Sequence, residues 1–142
     1  MEHTTTTTKP VSLATHATIE PFAGILFIAA PFIFGFSDNS TATTISIVLG
    51  VAVLLTGMMT RWRMAIVKLI PLSTHRMMDL LVAAVAIVSP FVFGFSDIGS
   101  ATRFLIIMGI AEAGIAMLTR WDPADSFAVA QDRHAGHASP TH

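Results

Sequence analysis

Cysteine is missing from this chain altogether. Disulfides, thiolate metal sites and cysteine nucleophiles are thereby excluded, while the redox compartment stays open. Charge is nearly as scarce. Only 12% of residues are Asp, Glu, Lys or Arg, against about 25% in ordinary soluble domains. The formal net charge of −1 supplies no basic field for nucleic acid. The apolar stretches lack a charged face, so they do not fit amphipathic helices around a soluble core. There is no phosphate loop, no HExxH pair and no nucleophile elbow, and no paired carboxylates are expected inside the apolar stretches. Neither an enzyme nor a cofactor is expected. No cleavable signal is expected at the N-terminus, since Met1 to Glu20 holds a threonine run, one Lys and no early apolar core. The first apolar block, from near Phe22, is therefore read as a retained span.

What the chain does have is apolar residues, 53% of the total, gathered into four blocks, and a duplication. Pro31-Phe32-Ile33-Phe34-Gly35-Phe36-Ser37-Asp38 returns 59 positions later as Pro90-Phe91-Val92-Phe93-Gly94-Phe95-Ser96-Asp97. The same shift carries Thr60-Arg61-Trp62 onto Thr119-Arg120-Trp121 and Thr15-His16 onto Thr74-His75. Residues 13–62 and 72–121 thus form two copies of one unit, with roughly 20 identities between them.

The expected fold is all-α: a four-helix transmembrane bundle made of two tandem helical hairpins in the same orientation. Spans are placed at 18–36 and 43–60 in the first repeat, and at 77–95 and 102–119 in the second. Residues 1–14 read as a disordered polar tail, 63–74 as a short interfacial helical linker, and 122–142 as a short helix followed by a disordered tail. Lys9, Arg61, Arg63, Lys68, Arg76, Arg120 and Arg133 fall on the side of the termini and linker, and Arg103 on the side of the hairpin turns. That bias predicts a multi-pass protein of the plasma (inner) membrane with cytoplasmic termini. An even number of spans per unit makes the units parallel, related by a pseudo-two-fold axis along the membrane normal.

At Ala30-Pro31-Phe32 and Ser89-Pro90-Phe91, each followed by Gly-Phe, the chain resembles the SPW-repeat family of small membrane proteins. Phe32 and Phe91 stand where that motif has Trp, and Ala30 where it has Ser. The resemblance implies a repeat of two transmembrane helices and a membrane location. It supplies no catalytic residue.

Several groups carry possible chemistry. Pro31 and Pro90 each free a carbonyl four residues back, at Phe27 and Ala86, and kink their helices. Gly35 and Gly94 then end the helix or admit a neighbour, with Phe32 and Phe91 filling space. Gly50, Gly57, Gly109, Ala113 and Ala116, with Gly114 nearby, suit close helix contact within the chain or between chains. Glu112 is the one ionisable residue deep in a span, either a proton- or cation-binding carboxyl or a neutral one bonded to a hydroxyl or backbone carbonyl. His16 with Glu20, and His75 with Asp79, are i,i+4 pairs. The dyad could join them as a mixed N/O metal site or a pH sensor. The plainer account is acids at helix N-termini and histidines at the interface, with no metal. Arg61-Trp62 and Arg120-Trp121 read as interface anchors. The expected function is a structural or interaction component in the lipid bilayer, with a homo-oligomer or a membrane partner. A proton-coupled carrier or channel subunit using Glu112 is the alternative.

Overall fold

The computed structural model describes residues 9–122. The described residues form four helices, α1 (Leu13–Ile33), α2 (Ser40–Met59), α3 (Leu72–Val92) and α4 (Gly99–Leu118). Each is long and apolar enough to cross a membrane. Helices α1 and α2 form one hairpin and α3 and α4 the other, and the hairpins meet chiefly along α2 and α3. Residues 1–8, and the short helix and tail expected beyond Asp122, lie outside the described residues.

The first helix of each unit starts earlier than its apolar run, at 13 rather than 18 and at 72 rather than 77. Ser12 caps α1 by accepting the Thr15 amide at 3.1 Å. The expected tail therefore stops short of Leu13, which is fully buried. Residues 63–70 make no helix. They fold back under α2 as a turn, with the Val67 and Ile70 amides donating to the Met58 and Met59 carbonyls at 3.1 and 2.8 Å. Orphan carbonyls at the end of α2 thus find their donors in the linker, which leaves it no need of a helix of its own.

The repeated motif ends a helix in both units. Gly35 has φ +67° and Gly94 φ +70°, conformations that side chains with a Cβ resist. The next amides close the turn, Phe36 N–H on the Pro31 carbonyl and Phe95 N–H on the Pro90 carbonyl, both at 2.9 Å. Pro31 and Pro90 are buried, whereas Phe32 and Phe91 face outward. The two freed carbonyls are satisfied differently. Ser46 of α2 donates to the Phe27 carbonyl at 2.6 Å, and Ser89 donates to the Ala86 carbonyl of its own helix at 3.2 Å.

Glycine sets the approach within each hairpin. A Cβ at Gly109 would lie 2.7 Å from the Ala83 carbonyl oxygen, and one at Gly50 would meet that of Gly24. Gly50 and Gly109 are thus taken up by contacts inside the chain, while Gly114 faces open space. Toward the hairpin turns the interior is apolar, built on Phe27, Phe36, Leu49, Phe95, Phe104 and Leu105. Toward the termini a smaller cluster joins Leu13, Ala17 and Trp62, with Leu72 and Trp121 against it. Between the two lies a polar layer.

Candidate functional site

Four of the side chains in that layer come from two i,i+4 pairs. His16 and Glu20 share one face of α1, and His75 and Asp79 share the equivalent face of α3. All four point inward and are buried, at 2%, 5%, 0% and 6% exposure. Glu20 sits seven residues into α1, roughly 10 Å along its axis at the helical rise. The pairs interlock across the pseudo-dyad. His75 Nε2 stands 3.3 Å from Glu20 Oε2 and 3.2 Å from Asp79 Oδ1, and His16 Nε2 stands 3.4 Å from Asp79 Oδ2 and 3.8 Å from Glu20 Oε2.

The far side of each ring is tied to the other unit. His16 Nδ1 lies 2.9 Å from Thr119 Oγ1 and His75 Nδ1 lies 2.7 Å from Thr60 Oγ1. Both hydroxyls donate their single proton to the carbonyl four residues back, Thr119 to Ile115 and Thr60 to Thr56, each at 2.6 Å. A hydroxyl has one proton to give, so each threonine oxygen accepts from the ring and Nδ1 carries the hydrogen. In the neutral imidazole the Nε2 lone pair then faces the carboxylates.

The backbone repeats this crossing. Val11, ahead of α1, bridges Thr119 at the end of α4, and Ile70, ahead of α3, bridges Thr60 at the end of α2. The tryptophans close the layer from below. Trp62 lies 4.5 Å from the His75 ring and 5.9 Å from the His16 ring, and Trp121 lies 4.9 Å from His16. Their indole N–H groups donate to the carbonyls of Gly57 and Ala116 at 2.8 and 2.9 Å.

The Glu20 carboxylate rests over Gly57, where an added Cβ would come within 3.1 Å of Oε1. At the equivalent positions of the second unit stand the shorter Asp79 and the larger Ala116. Both Glu20 oxygens, Asp79 Oδ2 and His75 Nε2 are buried without a hydrogen-bond partner. Glu112, buried on α4 six residues from its end, stands near enough to Asp79 and Glu20 for their charges to act on it. Beside Glu20 lies a cavity of about 140 Å³, lined also by Pro21, Gly57, Met58, Trp62 and Met64.

Three expectations are corrected. The histidine–acid pairs lie in the interior rather than at the interface, because each finds its partners on the other repeat. Paired carboxylates do occur inside the spans, Glu20 and Asp79 converging on one nitrogen. Trp62 is no headgroup anchor: it is 2% exposed and packs beneath the histidines, while Arg61 and Arg120 remain exposed. Thr60 and Thr119 are site residues that the sequence reading passed over, although the 59-residue shift had already paired each with its equivalent.

No curated protein and no solved structure matches the chain. The SPW repeat domain matches residues 14–119, an interval that takes in both hairpins, both prolines and all four members of the buried cluster. The chain is a four-span membrane protein and belongs to the SPW repeat family.

Proposed function

We propose that this protein is a non-enzymatic structural or interaction component of the plasma (inner) membrane, with both termini in the cytoplasm. The observation that carries the reading is the reciprocal fastening of the two units. Each histidine and each leading backbone segment bonds to the partner unit, and the turn-side interior is packed with apolar side chains. Polar groups are thereby used to hold a rigid body together rather than to line a route through it. Gly114, open on the outer side of α4, leaves a close-approach surface for a second helix, and self-association through it is part of this proposal. The orientation rests on the basic residues of the terminal side.

The absence of native cysteine makes the topology directly testable. Single cysteines replacing Ser37, Ser96 and Arg63 report on the two turns and the linker. An impermeant maleimide applied to intact cells should label the first two, and the third only after permeabilisation. The reverse pattern overturns the orientation, and opposite labelling of the two turns overturns the parallel repeats. For association, Gly114→Leu should lower the oligomeric fraction in lipid nanodiscs. A native protein that is monomeric at every loading refutes self-association.

A second reading has one observation in its favour, the buried Glu112 within electrostatic reach of the cluster. A proton-coupled carrier or channel subunit would use that carboxyl. Liposome flux that Glu112→Gln abolishes would establish it over the structural role.

A further inference from the structure

We infer that His16, His75 and Asp79, with Glu20 beside them, hold one divalent transition-metal ion of the Zn²⁺ type, in a site shared by both repeats. The inference stands apart from either reading of the activity.

The tautomers come first. Both Nδ1 hydrogens are committed to threonine oxygens that have already given their own protons away, so the two Nε2 lone pairs converge on carboxylate oxygens. Lone pairs of nitrogen and oxygen turned toward one another in a buried site repel unless a cation lies between them. Histidine ligands of metal ions characteristically give their other ring hydrogen to an oxygen acceptor, which fixes the ring. Thr60 and Thr119 hold that position here.

The distances leave room for an ion between the groups. Bonds of about 2.0–2.2 Å from Zn²⁺ to nitrogen and oxygen give tetrahedral edges of about 3.3–3.6 Å. The nitrogen–oxygen separations are 3.2 Å from His75 to Asp79 Oδ1, 3.4 Å from His16 to Asp79 Oδ2, and 3.3 and 3.8 Å from the two rings to Glu20 Oε2. A charged N–H···O⁻ bond would draw them in to about 2.7–2.9 Å. One atom each from His16, His75 and Asp79 form the tight set, all within 4.8 Å of one another, which leaves the fourth position of a tetrahedral ion open beside Glu20.

Charge and access agree. Two carboxylates and two neutral imidazoles cancel a divalent ion, so the loaded centre is uncharged in a low-dielectric interior. More than nine-tenths of each ligand side chain is buried, and four of their polar atoms have no hydrogen-bond partner. Two imidazole nitrogens favour a borderline ion over Ca²⁺ or Mg²⁺, which prefer oxygen sets. The cavity beside Glu20 counts Met58 and Met64 among its lining residues.

The test uses the full-length chain, purified without a polyhistidine tag, stripped with chelator and titrated with Co²⁺ as a spectroscopic probe. The expected result is the intense visible absorption of tetrahedral Co²⁺ at one equivalent, displaced by Zn²⁺. His75→Gln and Asp79→Asn should abolish that absorption. Thr60→Val and Thr119→Val should weaken binding by about 10- to 100-fold, and Glu112→Gln should leave the tetrahedral spectrum in place. Helical circular dichroism and a monodisperse elution profile identify which variants are folded, and Thr60→Val keeps the test alive if the ligand variants do not fold. A folded native protein that gives no tetrahedral spectrum overturns the inference. So does a spectrum that survives unchanged in folded His75→Gln.

Discussion

Ser46 on α2 donates its hydroxyl to the carbonyl of Phe27 on α1 at 2.6 Å, the carbonyl that Pro31 deprives of its helical donor. In the second repeat the same duty falls to Ser89, one residue before the proline, bonding the Ala86 carbonyl. The first repeat has Ala30 at that place and the second has Leu105 at the place of Ser46. One hydroxyl per proline is retained, supplied from different helices. Ser46→Ala should therefore destabilise the protein by about 1–3 kcal/mol, the cost of an orphaned buried acceptor. Adding Ala30→Ser should recover most of the loss. Denaturation in mixed micelles measures both, and an Ala30→Ser change that rescues nothing would show the two hydroxyls not to be interchangeable.

Gly35 and Gly94 hold positive φ with nothing near the position of a Cβ, so any penalty on substitution comes from the backbone alone. Each Gly→Ala change should cost about 1–2 kcal/mol through the left-handed conformation. The two turns belong to separate hairpins, and their effects should add. The midpoint shifts of the two single variants and the double variant decide this.

Gly57 gives the Glu20 carboxylate its room. Gly57→Ala should destabilise the protein by pushing on that carboxylate, and Glu20→Asp should relieve the push, since the second repeat pairs an aspartate with an alanine at the same two places. A double-mutant cycle reads the coupling. Independent effects would mean that Gly57 has another role.

Thr60 and Thr119 accept the ring hydrogens of His75 and His16. Thr60→Val leaves a buried N–H without a partner and should cost about 1–3 kcal/mol. Thr119→Val should do the same on the opposite side of the dyad. Unfolding midpoints that match the native protein would refute the assigned ring orientation.

The membrane fold was legible because apolar blocks of span length and an internal repeat survive in one dimension. Helix starts were less so. Hydropathy marks a span where apolar residues begin, yet His16, Glu20, His75 and Asp79 lie inside helices whose first turns are polar. Only their partners on the other repeat make such residues buriable, and those partners are distant in sequence: His16 bonds Thr119 across 103 positions. Trp62 misled for a related reason. An Arg-Trp pair at a span end usually marks the headgroup layer, but its indole N–H reaches the Gly57 carbonyl and carries the ring inward. The shift of 59 residues did place each histidine and each Thr-Arg-Trp in register. Convergence of two equivalent pairs required the axis between the units, which spacing alone does not position.

The backbone bridges from Val11 to Thr119 and from Ile70 to Thr60 make the connectivity nearly cyclic. Each half enters by leaning on the exit of the other, so a half expressed alone would lose both its docking segment and its acceptor threonine unless two copies assembled side by side about a true dyad. A circular permutant opened within 63–69, with its original ends joined, should rebuild the same bundle.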